Sequence, residues 1–185
     1  MKKILLLVIV LLLHTNCTAQ NVYPLNTSVL DLPQGAYLKD LNDELDSYVG
    51  KWKAQINETT VILNINKQYK TLNKIDNKTF YRDQIIITYT ILSNNGNVLE
   101  NVLDPNSEYV IKGYKIQKET LRVMCIYYGK QCSLGNGFVY LKKQGNNQLL
   151  WSYYPQAIHV TSQNEKECKG EIYLPEGENI VFTRQ

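Results

Sequence analysis

Histidine is almost missing from this sequence: there are two in 185 residues, and only His159 lies beyond the first twenty. A lone imidazole with no Cys, Asp or Glu at ligand spacing reads as a structural or surface side chain, not a metal ligand. There is no Gly-x-Ser-x-Gly elbow, no glycine-rich phosphate loop before a helix and no His-Glu-x-x-His, so no motif names a reaction. Neither charge sign is in excess. Lys and Arg number 20 against 17 Asp and Glu, a formal net charge of +3, of which Lys2 and Lys3 supply two. Such a balance excludes the basic excess of a nucleic-acid binder. No Pro-, Gly- or Ser-rich stretch marks a linker, so a single domain is expected after the leader. The one long apolar run, Ile4 to Leu13, is half the roughly twenty residues a membrane-spanning helix needs.

What is present starts with that run. Lys2 and Lys3 precede it, and the polar segment His14-Thr15-Asn16-Cys17-Thr18-Ala19-Gln20 follows, the layout of an export signal. Two cleavage readings stand. Cleavage after Ala19 makes residues 1–19 the signal. Lipid attachment at Cys17 makes it residues 1–16, although Asn16 and His14 fit such a site poorly. Acyl chains would hold the domain at a membrane, and no other membrane contact is expected. The expected location is the periplasm, the outer membrane as a lipid-anchored protein, or the outside of the cell.

Residues 20–35, with Pro24, Pro33 and Gly35, read as an extended segment. Residues 36–185 read as one β-barrel-like domain with an amino-terminal helix over 36–49. There Leu38, Leu41, Leu45, Tyr48 and Val49 recur at helical spacing and Gly50 is a stop. Asp40, Asp43, Glu44 and Asp46 then fall on the solvent side, without the spacing of a calcium loop; no metal or cofactor is expected. After Gly50 the pattern alternates with period two. Trp52, Ala54 and Ile56 share one face, as do Val61, Leu63 and Ile65, and Ile85, Ile87, Tyr89 and Ile91. Further runs cover 109–116, 121–128, 137–143, 148–154 and 179–184, separated by Asn- and Gly-rich turns. The 14 tyrosines sit among Ile, Val and Thr, a strand-favouring mixture. The fold class expected is mainly β: an antiparallel up-and-down meander of about 8–10 strands after one short helix, closed into a barrel to remove its edges.

Three cysteines follow the leader. Cys125 is in phase with Leu121, Val123 and Tyr127 and reads as a buried thiol. Cys132 and Cys168 fall in turns at the same end of the meander, which makes them the preferred disulfide in an oxidising compartment.

Gly50-Lys51-Trp52 at the start of the first long strand resembles the opening of lipocalin-like barrels. That resemblance implies a barrel-closing role for Gly50, Trp52 and Arg184, with the arginine a cation–π partner of the indole. More of the chain resembles a family of small exported proteins of Bacteroidetes-type bacteria, of no assigned activity. The matching segments are Cys17-Thr18-Ala19-Gln20, Tyr48-Val49-Gly50-Lys51-Trp52, Cys132 with Gly137 to Leu141 and then Leu149-Leu150-Trp151, and Leu174-Pro175 with Ile180 to Gln185. This implies a fold and a location. Function is expected to be non-enzymatic: a barrel binding a small apolar or amphipathic ligand, or an envelope protein partner. The alternatives are an envelope hydrolase of glycan or lipid whose residues the sequence does not single out, and a solid structural or inhibitor module. A hollow interior would favour the first, and a filled one the last.

Overall fold

The computed structural model describes residues 20–157, 168 and 170–185; His159, Cys17 and the leader lie outside them. Among the described residues eleven strands form one sheet: β1 Val22–Pro24, β2 Tyr37–Lys39, β3 Gly50–Ile56, β4 Thr59–Ile75, β5 Lys78–Ser93, β6 Val98–Val102, β7 Ile111–Gln117, β8 Arg122–Tyr127, β9 Gly137–Gln144, β10 Gln148–Pro155 and β11 Gly177–Arg184. Eight of them close a barrel in the order β5-β4-β3-β11-β10-β9-β8-β7, and β7 returns to β5. All neighbouring pairs in this ring are antiparallel. Closure removes the two edges that an open sheet would expose.

The period-two pattern drives this arrangement. Trp52, Val61, Leu63, Ile85, Ile87, Tyr89, Ile91, Cys125, Val139, Leu141, Leu149, Trp151, Tyr153 and Phe182 all have 0% exposure. The residues that alternate with them face the outer side of the sheet, from Lys51 and Lys53 on β3 to Phe138 and Tyr140 on β9. A void able to hold water would leave exposed surface on its lining, and these side chains have none. The interior is therefore packed solid.

β5 is the spine. One edge pairs with β4 along nearly its whole length. The other edge meets three partners in turn: parallel β2 at Tyr81 and Arg82, β7 at Ile86 and Ile87, and β6 from Tyr89 to Leu92. The seam with β7 is only two residue pairs long. It is tight, because a Cβ on Gly113 would lie 2.6 Å from Ile85 Cγ1. Beyond its last pairing with β3, at Ile65, β4 continues to Ile75 and returns as β5, so a long hairpin projects past one end of the barrel.

The expected helix over 36–49 does not form. That stretch holds β2, a set of turns and a single 3-10 turn at Asp46–Tyr48. The Asp40 carboxylate accepts the backbone N–H groups of Glu44 and Leu45 at 2.8 and 3.0 Å, offering the backbone a local alternative to helix. Asp43 takes a left-handed φ of 52°. Leu38, Leu45 and Tyr48 still reach the core, whereas Leu41 is 53% exposed. Asp40 is also not on a solvent face; it is 5% exposed.

Candidate functional site

Trp52 lies inside the barrel end from which the hairpin projects. Its Nε1 donates to Tyr48 O at 2.8 Å. Two cations sit on the indole: the Arg184 guanidinium at 4.5 Å and Lys143 Nζ at 4.2 Å from the ring centroid. Arg184 also donates to Ser47 O. Gly50 has φ 134°, and a Cβ there would come within 3.0 Å of Arg184 Nη1. Burial, and then the charge of Arg184, pull the Lys143 pKa down. Burial also pushes the Tyr48 phenol up to about 12, so it stays neutral. These groups cover an apolar end of the barrel.

The other end is tied by the Cys132–Cys168 disulfide, with Cα atoms 5.4 Å apart. Cys125 is free and fully buried, and burial raises its pKa, which removes thiolate reactivity. Tyr89, Tyr127 and Tyr153 meet edge to face. The Tyr89 hydroxyl donates to Glu100 at 2.9 Å, and Glu100 pairs with Lys130 at 2.7 Å. Burial raises the pKa of Tyr89 and Tyr153 and takes Tyr127 to about 12. Beside this network an open groove of about 620 Å³ runs past Glu108, Tyr109, Lys112 and Lys130.

The projecting hairpin is built around carboxylates. Asp83, 2% exposed, accepts from the Tyr37 hydroxyl and from the backbone N–H groups of Asp40 and Lys70, at 2.6, 3.0 and 2.9 Å. It thereby ties β2 to a bulge in β4. Lys67 Nζ lies 2.8, 3.7 and 2.5 Å from Asp40, Asp43 and Asp46. Burial lowers its pKa, but the hydrogen-bonded carboxylates of Asp40 and Asp46 outweigh that and the net shift is upward. The three aspartates are close enough together to suit a metal ion, yet the Lys67 ammonium already pairs with all three. Near the hairpin tip Lys78 donates to Val29 O and Leu30 O. This fixes the 3-10 turn Val29–Asp31 and leaves Leu30 85% exposed.

A groove of about 350 Å³ joins Leu30 and Ile75 to Lys115 and Met124 on the outer wall of the barrel. Across that wall the outward rungs run Lys115, Met124, Tyr140 and Lys112, Ile126, Phe138, Tyr154, with Gln117, Arg122, Lys142, Leu150 alongside. Phe138, Tyr140 and Tyr154 form a ring cluster with centroids 6.0–6.4 Å apart. Strands β7 to β10 contain no Asp or Glu at all. The sequence carries this signal openly, since no acid occurs between Glu119 and Glu165. A whole-chain charge count hides it.

A family model described as "Family of unknown function (DUF6705)" matches residues 1–185. The chain belongs to the DUF6705 family. No curated protein and no solved structure matches it. For this DUF6705 chain, function has to be argued from its own side chains. Those divide into a sealed interior, two covered ends and one open wall that is basic and aromatic.

Proposed function

We propose that this protein is an exported, non-enzymatic module that acts through its outer surface in the cell envelope. The observation that carries this is the solid interior. Ligand-binding barrels enclose a cavity, commonly 300–1,000 Å³, while here Trp52, Leu63, Tyr89 and Trp151 meet with no exposed surface. Burial raises the pKa of the Tyr89 phenol and of the Cys125 thiol, so both stay protonated at neutral pH. Export is supported by the basic start and apolar run of the leader, and the Cys132–Cys168 bond is compatible with an oxidising compartment. Titration of the mature protein with fatty acids and apolar dyes, read by tryptophan fluorescence, tests the interior. Trp52 and Trp151 should report no saturable change. Saturable quenching at one equivalent would overturn the solid-barrel reading. Mass spectrometry from the native host should find a chain starting at Cys17, with acyl mass, or at Gln20.

A further inference from the structure

We infer that the outer wall of β7–β10 is a docking surface for an anionic phospholipid bilayer. This deepens the proposed function by naming the partner of that surface, and it rests on the reading of the barrel as an envelope module. Charge is the first argument. The chain is close to neutral as a whole, yet these four strands hold every cation of the wall and no carboxylate. Lys112, Lys115, Arg122 and Lys142 project outward on neighbouring rungs. Acids lie at its rims: Glu178 accepts from the Tyr154 hydroxyl at 2.5 Å, and Glu108 lines a groove with Lys112.

The second argument is what lies between the cations. Met124, Ile126, Phe138 and Tyr140 are only partly covered, and Tyr154 is 40% exposed. An apolar and aromatic strip bordered by ammonium and guanidinium groups matches the layering of a bilayer surface. Aromatic rings settle at headgroup depth and cations pair with phosphates.

The third argument is position. The segment that follows the leader runs beside this wall: Leu25, Val29 and Leu30 share a groove with Lys115 and Met124. From Cys17 to β1 at Val22 is five residues, a reach of at most about 17 Å. A chain acylated at Cys17 would thus hold its domain against the bilayer, where Leu30 is the most exposed large apolar side chain among the described residues. An acidic protein would satisfy the charges but leaves the neighbouring leader and Leu30 without a role.

The test uses the unacylated mature protein from Gln20 onward, co-sedimented with phosphatidylglycerol–phosphatidylethanolamine vesicles and with phosphatidylcholine vesicles. Binding is expected to the anionic vesicles alone and to weaken as salt rises. Lys115→Glu with Lys142→Glu should weaken it by about 25-fold or more, at about fivefold per cation. Lys51→Glu with Lys53→Glu, exposed on β3, should change it less than twofold. Far-ultraviolet circular dichroism should show all variants folded. Absence of binding to anionic vesicles overturns the inference, as does equal loss in both double variants. Binding of polyglutamate with no binding of vesicles would also overturn it, and would name an acidic polypeptide instead. None of these outcomes touches the fluorescence titration, so the solid-barrel reading fails or stands separately.

Discussion

The barrel and its amino-terminal annex are held together by opposite chemistry. Inside the barrel, Trp52, Leu63, Ile87, Leu141 and Phe182 are sealed with no ionised group among them. Stability there comes from apolar area removed from water, roughly 25 cal/mol per Å². The annex, residues 20–49 with the projecting hairpin of β4 and β5, buries apolar side chains such as Leu25, Leu38, Leu45 and Phe80 and adds buried charge to them. It is organised by Asp83 and by the Asp40–Lys67 pair, each a buried charge whose cost is met by several hydrogen bonds. Apolar packing fixes which face is inside but tolerates small shifts. A carboxylate that must accept three specific donors fixes one arrangement of the chain.

The comparison can be broken at its strongest point first. Trp52→Ala should cost about 3–5 kcal/mol and lower the denaturation midpoint of the whole barrel. A loss below about 1 kcal/mol would place the indole outside the core. In the annex, Lys67→Met should cost about 3 kcal/mol, because it strands the buried Asp40 carboxylate beside Asp46. Its effect should be local: backbone amides of residues 37–49 should exchange first, while those of β9 and β10 stay protected. Uniform loss of protection would show that barrel and annex unfold as one unit.

The disulfide belongs to neither scheme and sharpens the contrast. Cys132→Ser with Cys168→Ser should cost about 2–3 kcal/mol, mostly by freeing the unfolded chain. Chemical denaturation checks it: the midpoint should fall and the slope should rise, because the freed unfolded chain exposes more surface. The smallest expected effect, counted per phenol and per pH unit, is on the pH dependence of stability. Tyr48 and Tyr127 ionise at about 12 in the folded chain against an ordinary value of 10. Above pH 10 the unfolded state therefore gives up protons that the folded state keeps, and stability falls with rising pH. Each phenol contributes about 1.4 kcal/mol per pH unit between those values. The raised Lys67 pKa acts in the same direction, since its deprotonation is also harder in the folded state. Tyrosinate absorbance that rises in step with an exposed phenol, before unfolding, would contradict this.

Much of the barrel could be read in the sequence, for a simple reason. A strand sealed on one face must alternate, and runs such as Ile85, Ile87, Tyr89 and Ile91 leave no other phase. The annex could not be read this way. Leu38, Leu45 and Tyr48 are spaced like a helix face, yet they reach the core from a strand and turns held by Asp40. The hairpin from Asn66 to Ile75 is mostly Lys, Asn, Gln and Thr, and Tyr69, Leu72 and Ile75 recur every three residues, so it lacks the apolar alternation that marks a strand, although its backbone pairs with β5 on both sides of the bulge at 69–70. The outer wall was missed for a different reason. Its signal is a gap in acidic residues along the chain, and that becomes a surface only once β7 to β10 lie side by side.

β5 has one further consequence, for insertions and deletions. Its sixteen residues set the spacing of β2, β7 and β6 along a single edge while matching β4 on the other. One added or removed residue in mid-strand would turn Ile85 or Ile91 outward. It would also misplace three partners at once and part the two-rung seam at Ile86 and Ile87. The turns at 76–77 and 94–97 carry no such burden. Length variation among members of the family should therefore collect at the two tips of this strand's hairpins, with the strand itself kept as a ruler of constant length.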